Sequence, residues 1–321
     1  MASIMSHPFS HLRRAGHLFV IAIAVAAIPP ACPAFAQAAL SVTEVAPGVY
    51  VYRGEHAEAN PENDGGIANI GFVVGTRSVA IIDTGGSPVI GTALLSAIRE
   101  VTDRPIGYVV NTHFHPDHIL GNSAFSAEAP VFIGHANLPA ALRARQESYL
   151  ARAAETLGQD VSEAWFVLPK HLVSTRETID LGDRVLILEA HPPAHTDSDL
   201  TVLDEATGTL FAGDLVFLER IPAVDGSVLG WLAVLDRLAE IPARKVVPGH
   251  GPVAAAWPDA LADERRYLKV IVTETRRILA AGGTLQAATA TVGLSEKGRW
   301  LLFDDYNARN VTAAYTELEW E

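Results

Sequence analysis

The sequence predicts an α/β fold in which two β-sheets pack face to face with helices on both outer faces. Three features carry that prediction: an opening meander of short β-branched strands, a second meander in the middle of the chain, and helical periodicity after each. From Leu40 the chain reads "SVTEVAPGVYVYRG", "IANIGFVVG" and "SVAIIDTG", strands separated by glycine-bearing turns. "PVIGTALLSAIREV" then spaces its apolar residues as a helix does, and "GYVVNT" returns to a strand. Residues 137–166 read as a solvent-facing helical stretch. The run from Thr178 to Phe217 reads as the second meander, "VLGWLAVLDRLAEI" as a helix and "KVVPGHG" as strand and turn. A long amphipathic helix is expected over 258–281, and "YNARNVTAAYTELEWE" has helical spacing that packs back on the domain.

The N-terminus stands apart. Arg13 and Arg14 precede the apolar run "HLFVIAIAVAAI", and Ala34-Phe35-Ala36 follows, the order of a secretory signal peptide cut after Ala36. The run is shorter than the roughly 20 apolar residues of a spanning helix, so no membrane anchor is expected after cleavage. The expected organisation is a signal peptide over 1–36 and one domain over 37–321, with core motifs in 67–252, a helical extension in 258–321 and a periplasmic location. The leader also removes Cys32, the only cysteine, so the remaining chain offers neither a disulfide nor a thiolate ligand. It takes two of the 24 basic residues and none of the 37 acidic ones, leaving 22 against 37 and a formal charge of −15. Nucleic acid is excluded as a partner on that balance, because phosphate backbones are gripped by basic surfaces. A small-molecule substrate is expected instead.

The chemistry is concentrated in "NTHFHPDH", residues 111–118, which places His113, His115, Asp117 and His118 within six positions. On an extended segment, rings two residues apart project to one side. Pro116 suits the first turn of a helix, which swings Asp117 and His118 toward the same cavity. Such a cluster without a metal would crowd donors and charges. A catalytic zinc site needs about four nitrogen or oxygen ligands including water, and a pair of metals needs more with a shared oxygen. Further candidates stand at strand ends: His195 in "PPAHTDSDL", Asp214 in "LFAGDLVF" and His250 in "VVPGHGPV". Alone, each would be an ordinary turn or surface residue.

"THFHPDH", followed in order by "AHTDSDL", "AGD" and "PGHG" and preceded by "AIIDTG", resembles the metallo-β-lactamase superfamily over Ile67 to Pro252. The resemblance implies an αββα sandwich of two mixed β-sheets with metals at one edge between them. It implies that His113, His115 and His195 hold a first zinc, that Asp117, His118 and His250 hold a second, and that Asp214 bridges both. Asp83 would orient either a ligand or the turn before it. The closing "NARNVTAAYTELEWE" and the leader are similar to a periplasmic branch, the quinoprotein relay system zinc metallohydrolases related to the SoxH proteins, which implies a periplasmic quinoprotein dehydrogenase system as partner.

Two zincs per chain would lower the pKa of a shared water from 15.7 to about 7, giving a bridging hydroxide as nucleophile with Asp117 holding or orienting its proton. The expected activity is hydrolysis of a small acyl-type bond in a thioester, lactone or β-lactam-like substrate. Asp214 and the absence of thiols exclude lactamases with a cysteine ligand; the bridging aspartate resembles glyoxalase II. His115 argues against flavodiiron oxidoreductases, which carry glutamate there. Two alternatives stay open: a persulfide dioxygenase with a single iron, and a zinc-dependent accessory protein of the quinoprotein system. Residues 55–66 form either a flap over the metals or a plain surface loop, and 137–166 either a cleft wall or outer packing. Lys170 and Arg220 are the basic residues within reach of the cleft. His135, His171 and His191 are assigned structural roles.

Overall fold

Strand pairing divides the chain in the middle. The computed structural model describes residues 38–321, so the expected signal peptide and its cut after Ala36 lie outside the described residues. Among the described residues, thirteen strands form two sheets of seven and six. The first opens as the expected meander, β1 (Val42–Ala46), β2 (Val49–Tyr52), β3 (Ile70–Val74) and β4 (Val79–Ile82), all antiparallel. After helix α1 (Pro88–Val101) the chain returns as β5 (Ile106–Val110), parallel to β4. The short helix α2 (Pro116–Ile119) leads to β6 (Val131–His135), and helix α3 (Leu138–Leu157) to β7 (His171–Val173). Both strands extend the sheet in parallel.

The second sheet runs β8 (Arg176–Asp180), β9 (Val185–Ala190), β10 (Leu200–Asp204) and β11 (Thr209–Phe217), again antiparallel. Helix α4 (Val228–Leu238) connects to β12 (Lys245–His250), parallel to β11, and β13 (Ala255–Ala256) closes the edge. Helices α5 (Leu261–Ala280), α6 (Leu285–Thr291) and α7 (Phe303–Leu318) complete the chain. Both sheets are therefore mixed, with helices outside each, and the fold is the expected α/β sandwich.

Side-chain alternation explains the layers. In the first sheet Val49, Val51, Val73, Ala80 and Ile82 meet Leu186, Leu188, Val202 and Phe211 of the second between the sheets. Their neighbours Ile70, Phe72, Val79 and Ile81 point the other way, onto Ile90, Leu94 and Ile98 of α1. Each full burial of such a side chain is worth about 1.5–3 kcal/mol. α1 begins where Ser87 Oγ accepts from the Ile90 amide and Pro88 supplies a fixed φ at the first helical position. Strand β11, "TLFAGDLVF", is buried at every position because helices cover its outer face and the first sheet its inner one. On the outside, Trp231 and Leu235 of α4, Tyr267 and Ile271 of α5, and Val311 and Ala314 of α7 form one apolar cluster. No described helix is long and apolar enough to cross a membrane.

The architecture departs from two simple meanders at β6 and β7. A five-residue and a three-residue strand extend the first sheet in parallel after the antiparallel pairs end. β7 directly precedes β8, so the chain changes sheets across residues 174–175.

Candidate metal centre

Five segments converge at one edge of the sandwich. β5 ends at Val110, and residues 111–115 run on without regular structure until His115 caps α2. With Pro116 at its first position, that four-residue helix carries Asp117 and His118 back toward the sheets. His195 sits in the turn between β9 and β10, Asp214 within β11, and His250 at the end of β12. Two glycines leave room for this. A Cβ on Gly213, whose φ is +52°, would lie 2.6 Å from Thr112 Oγ1, and one on Gly249 would lie 1.9 Å from Asp214 Oδ1. The structure gathers His113, His115, His195 and Asp214 into one group of ligand atoms, and Asp117, His118 and His250 into a second.

The hydrogen bonds behind the rings decide what faces the centre. A neutral imidazole has one N–H, and carbonyl and carboxylate oxygens can only accept. His195 Nδ1 donates to the Ala223 carbonyl at 2.6 Å, His115 Nε2 to Asp225 at 3.1 Å, and His250 Nδ1 to the Ile67 carbonyl at 2.9 Å. His118 Nδ1 donates to Asp83 Oδ2 at 2.8 Å. Thr112 Oγ1 spends its hydrogen on Asp83 Oδ2, so it accepts from His113 Nδ1 at 3.0 Å. When neutral, each ring thus commits its one N–H outward and turns a bare nitrogen inward. Three of these nitrogens crowd together: His115 Nδ1 is 3.1 Å from His113 Nε2 and 2.9 Å from His195 Nε2. In the second group His118 Nε2 and Asp214 Oδ1 lie 3.1 Å apart, both buried and neither with a hydrogen-bond partner. Asp214 Oδ2 stands 3.4 Å from His195 Nε2, 3.5 Å from His250 Nε2 and 3.7 Å from His113 Nε2, between the two groups.

Lone pairs and carboxylates packed this closely repel one another unless cations lie among them, and the N/O donor set suits zinc. The residues present fit a metal site.

Charge balance points the same way. Burial pushes the His195 imidazole down to about 3, and burial with His118 beside it holds His113 well below its ordinary range. Burial also acts to lower His118, but Asp214, Asp83 and Asp117 outweigh it and raise it well above the ordinary value. Without a metal, a proton on His118 answers those carboxylates. For Asp214, burial opposes ionisation, yet His250, His118 and His113 hold its carboxyl well below the usual range.

Several contributors were not singled out from the sequence. Asp225 holds His115, and Asp199 accepts from Thr196 N and Oγ1, bracing the turn that presents His195. Asn69 ties the sheets together: its side chain donates to the Pro248 carbonyl and accepts from Gly54 N, and its amide donates to Gly249 O. Asp83 takes the place expected for it, behind His118 and Thr112.

The centre opens into a cleft of about 730 Å³. Its walls include Glu58, Ala59 and Gly65, so the 55–66 segment is a wall of the cleft, pinned by the Asn60 and Asn63 side chains. α3 contributes Tyr149 and Arg152, which makes it a wall as well, and α7 contributes Tyr306 and Arg309. Arg220 also lines the cleft and is nearly buried, donating to Tyr306 Oη at 2.9 Å. Lys170 is exposed and is not among the lining residues. His171 pairs with Glu177, His191 with Thr201, and His135 accepts from the Asn137 amide, all away from the centre. The "YNARN" run was the signal for α7, since Tyr306, Arg309 and Asn310 fall on one helical face.

A family model described as the metallo-beta-lactamase superfamily matches residues 63–250, more than half of the chain, and the chain belongs to that superfamily. A linear primary-alkylsulfatase of Pseudomonas sp. is 43% identical over 62 residues, covering 19% of this chain and 12% of that protein. A beta-lactamase-like protein 2 homolog of Caenorhabditis elegans is 24% identical over 185 residues, 57% of this chain and 55% of its own length. The chain thus spans little more than half the length of these relatives at most. Among solved structures, a metallo-beta-lactamase from Pontibacter korlensis aligns with TM-score 0.58 and 21% identity, covering 72% of this chain and 99% of that one. A stereoselective inverting sec-alkylsulfatase from Pseudomonas sp. aligns with TM-score 0.66 and 19% identity over 87% of this chain and 50% of its own. These structures share the fold.

Proposed function

We propose that the protein is an exported dinuclear zinc hydrolase acting on a small acyl-type substrate. One observation carries the reading: five histidines bond outward through one ring nitrogen and turn the other toward a common centre, with Asp214 between their two groups. His113, His115 and His195 would hold one zinc, Asp117, His118 and His250 the other, and Asp214 both. Zinc bound there supplies a Lewis acid and a water acidified from pKa 15.7 to about 7. Asp117 faces the cleft. Burial opposes its ionisation, but His118 and His250 hold its carboxyl below the usual range, so it orients a proton by accepting a hydrogen bond rather than storing one. The outward bonds of the histidines keep their tautomers fixed while substrate enters. The overall acidity of the chain disfavours a phosphodiester polyanion at long range.

A second substrate reading, a sulfate ester, is favoured by Arg152, Arg220 and Arg309 along the cleft and by the likeness to alkylsulfatases. The leader would deliver the protein to the periplasm, where a quinoprotein dehydrogenase system is the partner we propose. Two assays test the reading together. Elemental analysis of reconstituted protein is expected to give about two zincs per chain, and a panel of thioesters, lactones, β-lactams, sulfate esters and phosphodiesters to show metal-dependent turnover of an acyl bond. A single iron with no second metal refutes the dizinc centre and favours the dioxygenase. Best turnover of a sulfate ester replaces the acyl assignment, and no turnover of any member with two zincs bound leaves the accessory role.

A further inference from the structure

Helix α7 lies beyond residues 63–250, the part matched by the superfamily. Its Asn310 is 1% exposed and grips the loop between β11 and α4 at two points. Asn310 Nδ2 donates to the Pro222 carbonyl at 2.6 Å, and the Val224 amide donates to Asn310 Oδ1 at 2.9 Å. The residue between them is Ala223, whose carbonyl receives His195 Nδ1. Farther along the same helix, Glu317 accepts from Ser227 Oγ at 2.6 Å and from the Val228 amide at 2.7 Å, closing the far end of that loop.

We infer that Asn310 is a positioning residue for the metal centre: by clamping peptide 222–224 it aims the Ala223 carbonyl that fixes the tautomer and direction of His195. The inference rests on the reading of His195 as a zinc ligand. A carbonyl can fix a ring only if it is itself held, and both of its flanking residues are bonded to one side-chain amide. An asparagine is suited to this because it both donates and accepts, as the Pro222 carbonyl and the Val224 amide require. A carbonyl free to swing would let His195 take the other tautomer, which puts a hydrogen on the nitrogen that faces the metal. The C-terminal extension thus completes a centre whose ligands all come from the shared core.

The test uses the full chain, Asn310→Ala, and Thr312→Ala as an exposed control on the same helix. Zinc affinity is read by chelator competition, the centre's symmetry by the absorption spectrum of the cobalt(II)-loaded protein, and the His195 tautomer by ring-nitrogen NMR of the metal-free protein. Asn310→Ala is expected to weaken one of the two zincs by about 10- to 100-fold, change the cobalt spectrum and mix the His195 tautomers. Thr312→Ala is expected to change none of these. Wild-type affinity, spectrum and tautomer in a folded Asn310→Ala overturn the inference. Wild-type protein that binds no zinc overturns the metal reading instead, and the tautomer measurement then still decides whether Asn310 fixes His195. Because Asn310 also bonds Tyr267 at 2.9 Å, the alanine variant has a folding risk. Asn310→Asp keeps the acceptor for Val224 and sets a carboxylate against the Pro222 carbonyl, and it is expected to show the same losses. In wild-type protein, the Val224 amide is expected to be protected from exchange at least about tenfold more than the Gly226 amide in the same loop, each relative to its rate in an unstructured peptide; equal protection overturns the clamp without any variant.

Discussion

Replacing Asp83 by asparagine separates stability from metal binding. The Asp83 carboxylate accepts from Thr112 N at 2.8 Å, Thr112 Oγ1 at 2.7 Å and His118 Nδ1 at 2.8 Å, and it is 2% exposed. Its φ is +58°, a conformation asparagine tolerates as well as aspartate, so the exchange adds no backbone strain. An amide has one oxygen for three donors. If that oxygen keeps Thr112 N, the NH₂ faces the threonine hydroxyl, which rotates, and His118 Nδ1, which cannot donate to it. His118, which carries a hydrogen on both nitrogens in the metal-free protein, then gives up the one on Nδ1 and keeps the one on Nε2, 3.1 Å from Asp214 Oδ1. The metal-free fold therefore loses little, about 1–2 kcal/mol for a weakened bond. A zinc, however, must now displace that hydrogen and force the unfavourable tautomer, which corresponds to about a 10- to 100-fold loss of affinity at the second site. Urea unfolding of metal-free protein and chelator competition on loaded protein measure the two quantities. Unchanged zinc affinity would refute the argument that Asp83 sets the His118 tautomer. A collapse of the metal-free fold would refute the claim that the tautomer shift absorbs the change.

Asp214→Asn, which removes the charge between the two groups, is expected to leave about one zinc per chain by elemental analysis, with the circular-dichroism spectrum unchanged. Stripping zinc with a chelator is expected to lower Tm by several degrees, since a ligand at a hundredfold excess over Kd contributes about 2.7 kcal/mol per site; calorimetry checks it. Burial lowers the His191 imidazole from 6.5 to about 3. The unfolded chain therefore takes a proton that the folded chain refuses, and stability is full above about pH 6.5 and falls progressively toward pH 3. His191→Gln, which removes the titrating group, should narrow the gap between urea midpoints of metal-free protein at about pH 7 and pH 4.5. Trp231→Ala empties a fully buried site whose ring packs 5.2 Å from that of His195; it should cost about 3–5 kcal/mol in urea unfolding and weaken zinc binding as well.

The elements that sequence could supply were those with their own periodicity. β11 carries two apolar runs, Leu210 to Ala212 and Leu215 to Phe217, because both faces are covered, and α1 repeats Ile90, Leu94 and Ile98 at helical spacing. The cluster from His113 to His118 was legible because Pro116 and the two-residue spacing dictate local geometry; of the three later candidates expected at strand ends, only His250 stands at one, His195 lying in a turn and Asp214 inside β11. β6 and β7 were not legible. "VFIGH" and "HLV" are too short to show a period, and their stability comes from parallel neighbours supplied by distant segments. The partners of the ligands were hidden for the same reason. Asp225 reaches His115 across 110 positions and Asn310 reaches Pro222 across 88, distances over which residue type alone carries no pairing information. Arg220 was considered on charge, but its contact with Tyr306 required knowing that α7 returns to the cleft.

The His and Asp side chains of both groups precede α7 in the chain, yet the Pro222–Val224 loop takes its clamp from that helix. A chain shortened before residue 303 would keep every one of those side chains and hold His195 without the brace on Ala223. A cut within α7 is therefore expected to act on the centre even though it removes none of the residues gathered there.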